Sequence, residues 1–107
     1  MAEGYRKKEE KELIRRFEQQ LKEADQSYFE LEDYERIIDI YIDAGKYQKA
    51  LKAAEAGIEQ YPFSIELMLD KCQVLTNLEE FQDALELLNY ASNIHPGDAE
   101  IYMMHAN

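Results

Sequence analysis

The chain repeats a pattern after 34 residues, and this repetition constrains its fold more than any other feature. The stretch GKYQKALKAAEAGIEQYP (residues 45–62) is followed by EEFQDALELLNYASNIHP (residues 79–96), in which Gln, Ala, Leu and Pro return at the same places. A fixed period of this length is typical of a solenoid, in which small helical units stack on one another. We therefore predict a repeat protein whose surface is extended by repetition.

The composition predicts a helical protein without a transmembrane segment. The 107 residues are 46% hydrophobic and 33% charged, with four Gly and two Pro, which is too apolar for disorder and too poor in helix breakers for a turn-rich β-protein. No stretch is apolar enough to predict a membrane span or a secretory signal, so we expect the cytoplasm and no membrane partner. The single Cys72 excludes an intramolecular disulfide and a C-x-x-C motif.

The negative charge belongs to the repeated part of the chain. Residues 1–30 carry seven Lys/Arg against eight Asp/Glu, whereas residues 31–107 carry five against fifteen, and the net charge of the whole chain is −11. Nucleic-acid backbones and anionic lipids are bound through clustered Lys/Arg. We therefore predict that neither nucleic acid nor a membrane surface is a partner.

Hydrophobic periodicity predicts an N-terminal helix over residues 5–24 and then a series of shorter helices. The first helix has an apolar stripe formed by Leu13, Phe17, Leu21 and Ala24. Further helices are predicted over residues 31–44, 47–60, 65–77 and 80–94, with Gly45 as a left-handed cap and Ser64 as an N-cap. Asp25 and Ser27 predict a turn after the first helix. Asp98 predicts the start of a last helix over 99–107. The helical spacing predicts a core that contains Met68, Leu75, Phe81, Leu85 and Leu88.

At these positions the sequence resembles the tetratricopeptide repeat (TPR) family. The family pattern of an aromatic, Leu-Gly and Tyr, followed by Ala, an aromatic and Pro, is matched in the first copy by Tyr34, Ile37, Ile38, Tyr41, Ala50, Ala54 and Pro62. The second copy offers Met68, Lys71, Cys72, Leu75, Ala84, Leu88 and Pro96, and a third copy begins with Tyr102, His105 and Ala106. Small residues at Ala50, Gly57, Ala84 and Ala91 also agree with the family, in which they let helices approach closely. The chain departs from the pattern at Ile38, which is large where the family has a small residue, at Glu79, which replaces Gly, and at Lys71, which must snorkel from an apolar site.

The resemblance implies an all-α fold, a right-handed α-solenoid of helix-turn-helix repeats with an N-terminal capping helix. The domain organisation expected from it is an N-terminal helix and turn over residues 1–30, repeats over 31–64 and 65–98, and the start of a third repeat over 99–107. These together form one domain.

The resemblance also implies a concave groove lined by the first helix of each repeat, which holds an extended peptide or a partner helix. The expected lining residues are Glu32, Glu35, Asp39, Ile42, Asp43, Glu66, Leu69, Gln73, Thr76, Asn77, Glu100 and Met103. One subgroup of the family clamps the C-terminal carboxylate of chaperones with Lys, Arg and Asn, but Glu35 and Asp39 stand where this clamp has Lys and Asn. We therefore expect a basic or amphipathic partner and not an acidic chaperone tail. Without a partner, the acidic residues would form a solvated face.

The sequence contains few residues in an arrangement suited to catalysis. Cys72, His95 and His105 match no common zinc-ligand spacing, no Gly-rich phosphate loop is present, and we expect no enzyme activity, no metal and no cofactor. Cys72 is interpreted as a small core residue. Two functional hypotheses follow. The first is a non-catalytic protein–protein interaction module with an acidic groove, and the second is a structural role as the N-terminal section of a longer repeat array, which acts through repeat stacking and self-association. The second hypothesis predicts self-association through the C-terminal end, around Tyr102, Met103 and Met104.

Overall fold

Within the described residues, 2–23 and 29–94, the computed structural model contains five helices. They are α1 (Ala2–Glu23), α2 (Leu31–Asp43), α3 (Tyr47–Gln60), α4 (Ile65–Asn77) and α5 (Phe81–Ile94). The helices pack in chain order, α1 on α2, α2 on α3, α3 on α4 and α4 on α5, and α2 also contacts α4. This arrangement is an all-α, TPR-like helical repeat fold. The turn predicted at Asp25 and Ser27 and the helix predicted over 99–107 lie outside the described residues.

The predicted helix boundaries are confirmed to within a few residues. The α3 and α4 helices have the predicted limits, α2 ends one residue earlier and α5 begins one residue later, while α1 starts at Ala2 instead of Tyr5. The Ser64 hydroxyl accepts a 3.2 Å hydrogen bond from the backbone N–H of Leu67 and so caps α4 as predicted. The α2 helix starts differently, because the backbone N–H of Glu30 donates to the Asp33 carboxylate at 3.2 Å.

The two turns inside the helix pairs have the same hydrogen bonds, 34 residues apart. In the first turn, the N–H of Gly45 donates to the Ile42 carbonyl and that of Lys46 to the Tyr41 carbonyl. In the second turn, the N–H of Glu79 donates to the Thr76 carbonyl and that of Glu80 to the Leu75 carbonyl. The N···O distances are 2.9 and 2.8 Å in the first turn and 3.0 and 2.8 Å in the second. Gly45 has φ +73° and Glu79 has φ +62°, so both take the left-handed conformation that closes such a helix end. Glu79 therefore adopts a backbone conformation that suits glycine better.

The sequence period is also a period of burial. Six pairs of residues 34 positions apart are buried in both copies: Tyr34 and Met68, Ile38 and Cys72, Tyr41 and Leu75, Ala50 and Ala84, Ala54 and Leu88, Gly57 and Ala91. The small members of this set allow the helices to approach, as the sequence predicted. Lys71 snorkels as expected, because its Nζ lies 3.4 Å from Glu55 Oε2 and its side chain is mostly covered.

An aromatic cluster joins α1 to the first helix pair. The rings of Phe17, Phe29, Tyr34 and Tyr61 meet edge to face, with centroids 5.7 to 6.4 Å apart, an arrangement favoured by the quadrupoles of the rings. The Tyr61 hydroxyl donates a 2.8 Å hydrogen bond to the Phe29 carbonyl oxygen. Because Leu13 and Phe17 are buried in the same core, α1 is an integral part of the fold.

Two predicted core residues, Phe81 and Leu85, are exposed, and those predictions were wrong; Leu21, from the predicted apolar stripe of the first helix, is exposed as well. Phe81 is 60% exposed, Leu85 48% and Leu21 47%, whereas Met68, Leu75 and Leu88 are buried as predicted. The buried face of α5 passes through Ala84, Leu88 and Ala91. Leu85 follows Ala84 directly and is therefore turned by about 100° from that face, since each helical residue advances by this angle. Leu21 lies at the rim of a surface cavity that it lines with Phe17 and Tyr41.

Candidate functional site

The candidate site is the surface where α2 and α4, the first helices of the two pairs, lie against each other. Each helix contributes a carboxylate pair four residues apart, which places both members on one side of the helix. The pairs are Glu35 and Asp39 on α2, and Glu66 and Asp70 on α4. We call these four residues the carboxylate cluster.

The four carboxylates of the cluster are close enough to affect one another. Asp70 is repelled by Asp39, Glu35 and Glu66, and Glu35 is repelled in turn by Glu66, Asp39 and Glu32. Asp39 is repelled by Asp43, one helical turn further along α2. The structure thus brings together five of the predicted groove residues, Glu32, Glu35, Asp39, Asp43 and Glu66.

The pKa of Asp70 is raised to about 7 by burial and by the neighbouring charges of Asp39, Glu35 and Glu66. Burial also raises the pKa of the Glu35 and Asp39 carboxyls, with smaller contributions from Glu66 and Asp43 respectively. Desolvation disfavours a charged carboxylate, and a like charge nearby adds to this effect. Ionisation of the whole cluster is therefore electrostatically unfavourable.

In the described part of the chain, no Lys or Arg forms an ion pair with a carboxylate of this cluster. The ion pairs found there join Glu12 to Arg15, Glu18 to Lys49 and Glu55 to Lys71. The Ser64 hydroxyl donates a 3.2 Å hydrogen bond to Glu66 Oε2. A cation brought by a partner would meet several unneutralised carboxylates at once.

The other predicted groove residues have different surroundings. Ile42 packs against the larger core and Leu69 against a second, smaller core around Met68 and Ala91, so both are only partly accessible. Gln73, Thr76 and Asn77 are exposed on α4. The Thr76 hydroxyl donates a 2.9 Å hydrogen bond to the Cys72 carbonyl and is used within its own helix. Glu100 and Met103 lie outside the described residues.

Asp70 was missed by the sequence analysis, although it is the most perturbed carboxyl of the cluster. The family pattern does not place residue 70 among the groove positions. A signal was present, since Asp70 lies three residues after Leu67 and four before Val74, and both of those are fully buried. A carboxylate at such spacing is expected at the margin of a buried face.

The described residues contain few groups suited to catalysis. Cys72 is buried, and burial raises the pKa of its thiol to about 11, so the thiolate that acts as a nucleophile is disfavoured. The thiol lies 3.6 Å from the Ala84 carbonyl, in agreement with its interpretation as a core residue. Over residues 2–23 and 29–94, no three His, Cys, Asp or Glu side chains are arranged to hold a metal ion. His95 and His105 lie outside these ranges.

The same ranges contain no helix that is long and apolar enough to cross a membrane.

Comparison with protein families shows that a tetratricopeptide repeat model matches residues 41–107. Neither the curated proteins nor the solved structures provide a significant match. Repeats of this family generally mediate protein–protein interactions and are typically non-catalytic. The family match covers more than half of the sequence and includes α3, α4 and α5. The chain therefore belongs to the tetratricopeptide repeat family.

Proposed function

We propose that this protein is a non-catalytic interaction module that binds a basic or amphipathic segment of a partner protein in the groove between α2 and α4. The carboxylate cluster carries the proposal. Four carboxylates, Glu35, Asp39, Glu66 and Asp70, repel one another, and no Lys or Arg of the described residues pairs with them. A Lys or Arg side chain placed among them would replace repulsion by attraction.

The flanks of the cluster support an amphipathic partner. Ile42 and Leu69 are partly buried at the margins of the two cores, so each retains some apolar surface beside the carboxylates. A partner helix with basic residues on one side and apolar residues next to them matches this combination. An acidic C-terminal tail would instead be repelled by Glu35 and Asp39, and we do not propose it.

Within this proposal, residues 31–64 and 65–98 act as the two repeats that build the groove, and residues 1–30 act as an N-terminal cap. The cytoplasm is the proposed compartment. No metal or cofactor has a role.

The test is a pull-down from native lysate with the whole chain as bait, with bound proteins identified by mass spectrometry. The groove variant combines Glu35→Lys, Asp39→Lys and Glu66→Lys. The matched control combines Glu9→Lys, Glu59→Lys and Asp83→Lys, three exposed acids outside the groove, and it changes the net charge by the same amount. Circular dichroism should first show that both variants remain helical.

A basic partner that binds the native chain and the control variant, but not the groove variant, is the expected result. The same partner should bind more weakly below pH 7, because protonation of Asp70 removes one of the attracting charges. Retention of that partner by the groove variant, or its loss from both variants, would show that binding does not take place in this groove.

A further inference from the structure

Positive charge is concentrated at one end of the helical stack and absent from the other. Residues 1–22 carry seven of the twelve Lys/Arg of the chain against five Asp/Glu, and no Lys or Arg follows Lys71. The α1 helix packs on α2 at one end of the stack, and α5 packs on α4 at the other end. The chain is therefore electrically polar along the direction in which its helices stack.

At the α1 end, two adjoining surface cavities form what we call the basic trough. The first, of about 360 Å³, is lined by Ile14 and Ile40, by the cations Lys7, Lys11 and Arg15, and by the acids Glu10 and Glu18. The second, of about 210 Å³, has Phe17, Leu21 and Tyr41 on its walls and is bordered by Lys49 and Lys52. The two cavities share Glu18 as a lining residue and therefore lie side by side along α1.

Several cations of the basic trough remain without a carboxylate. Glu18 accepts hydrogen bonds from the Tyr41 hydroxyl at 2.8 Å and from Lys49 at 3.3 Å, and Glu12 pairs with Arg15. In the described part of the chain, no carboxylate lies within ion-pair distance of Lys7, Lys11 or Lys52. The trough thus has an apolar lining, which includes a half-exposed Leu21, and three lysines without an ion pair in the described residues, against the two acids Glu10 and Glu18 of the same lining.

At the opposite end, α5 presents the complementary combination. Phe81 and Leu85 are four residues apart on one side of the helix and are 60% and 48% exposed. Glu79, Glu80, Asp83 and Glu86 are all exposed, and no Lys or Arg lies between residues 79 and 94. We call Phe81 and Leu85, together with the flanking acids Glu80 and Glu86, the acidic end face.

We propose that copies of this chain associate head to tail, with the acidic end face of one copy docked in the basic trough of the next. Phe81 and Leu85 contact the apolar lining of the trough, while Glu80 and Glu86 approach Lys11 and Lys52. These surfaces are separate from the carboxylate cluster, so the interaction is independent of the function proposed for the groove.

The two faces differ from each other, so the contact is heterologous and does not close on itself as a two-fold dimer does. Mass should therefore increase progressively with concentration. The contact should be weak because it buries few apolar side chains, and it should be sensitive to salt because its charges are exposed.

The test is sedimentation equilibrium of the whole chain over a range of concentrations at low and high ionic strength, with two charge-reversed variants. The trough variant combines Lys11→Glu and Lys52→Glu, and the end variant combines Glu80→Lys and Glu86→Lys. All four residues are exposed, so both variants should fold, and circular dichroism checks this. Each variant alone presents like charges on its two faces and should associate at least about tenfold more weakly than the native chain.

An equimolar mixture of the two variants should recover association, since each reversed face then meets a face of opposite charge. The control variant combines Glu35→Lys and Asp39→Lys in the groove. It changes net charge as much as the end variant does, and it should associate like the native chain.

A native chain that stays monomeric at high concentration and low salt would overturn the proposal. Unchanged association of either variant, or a mixture no better than its components, would place the contact elsewhere. Loss of association in the groove control would assign self-association to the carboxylate cluster and also contradict the proposal.

Discussion

Gly57 of α3 lies directly against Tyr34 of α2. A Cβ atom at Gly57 would lie 3.0 Å from Tyr34 Cγ, 3.2 Å from Tyr34 Cβ and 3.0 Å from Leu67 Cδ1. Three helices therefore approach one another at this position, because Tyr34 belongs to α2 and Leu67 to α4. The Leu67 methyl group is the end of a flexible side chain, but the Tyr34 atoms are near its backbone and its ring is fully buried.

The Gly57→Ala substitution should destabilise the protein. Replacing a helical glycine by alanine stabilises an unobstructed helix by up to about 1 kcal/mol, whereas overpacking a core costs about 1 to 3 kcal/mol. We expect a net loss of about 1 kcal/mol in the free energy of unfolding, measured by urea denaturation. Glu59→Ala, at an exposed position of the same helix, is the control and should leave stability nearly unchanged. A Gly57→Ala protein as stable as the native one would mean that Tyr34 moves aside without loss of packing.

The Glu79→Gly substitution should stabilise the protein. Glu79 has φ +62°, which is unfavourable for a residue with a Cβ atom, and its counterpart 34 residues earlier is Gly45 at φ +73°. Part of the gain is lost because glycine is more flexible in the unfolded chain, so we expect about 0.5 to 1 kcal/mol. The reciprocal control is Gly45→Ala, which has no neighbouring atom within 4 Å and should destabilise through its backbone conformation alone. Thermal unfolding of both variants measures the effect. A melting temperature of Glu79→Gly below that of the native chain would show that the backbone conformation of Glu79 is not strained.

Stability should depend on pH through Asp70. The pKa of this carboxyl is raised to about 7 in the folded protein, mainly by burial and then by Asp39, Glu35 and Glu66, whereas an unfolded aspartate titrates near about 4. Between these values the folded state binds more protons than the unfolded state. The contribution of Asp70 to stability is therefore fully present below about pH 4 and is lost as pH rises through about 7.

The Asp70→Asn substitution removes this titration while keeping the shape of the side chain. We expect little difference from the native chain near pH 4 and a gain of about 1 to 2 kcal/mol at pH 8, with solvent screening keeping the value low. Urea denaturation at both pH values measures it. Asp83→Asn, at an exposed carboxylate of α5, is the control. An equal effect of Asp70→Asn at both pH values would show that Asp70 is not perturbed by its neighbours.

The helices and their ends could be read from the sequence because the interactions that define them are local. The cap formed by Ser64 with the N–H of Leu67 spans three residues, and the hydrogen bonds of the left-handed turn at Gly45 join groups three and five residues apart. The burial of Tyr34 and Met68 followed from a pattern that repeats along the chain. Such features require only the helical period and the chemistry of the turn residues.

The exposure of Phe81 and Leu85 could not be read in the same way. Both residues fit a helical hydrophobic pattern, but that pattern shows only that they share a side of α5 with one another. Whether that side is covered depends on the position of α4 relative to α5, which places Ala84, Leu88 and Ala91 in the contact instead. The apolar face that the sequence pattern predicts for α5 is therefore wider than the face that is buried against α4.

The sequence by itself determined the family, the all-α repeat fold and the acidic residues Glu35, Asp39 and Glu66 of the candidate groove. Only the tertiary structure decided that Asp70 joins them and that the basic trough forms beside α1. The reason is that both features are made by side chains from different helices. The pKa of Asp70 depends on charges 31 to 35 residues away, at Asp39 and Glu35, which reach it only because α2 packs against α4. A helical period fixes which residues share a face, and the packing of helices fixes which faces meet.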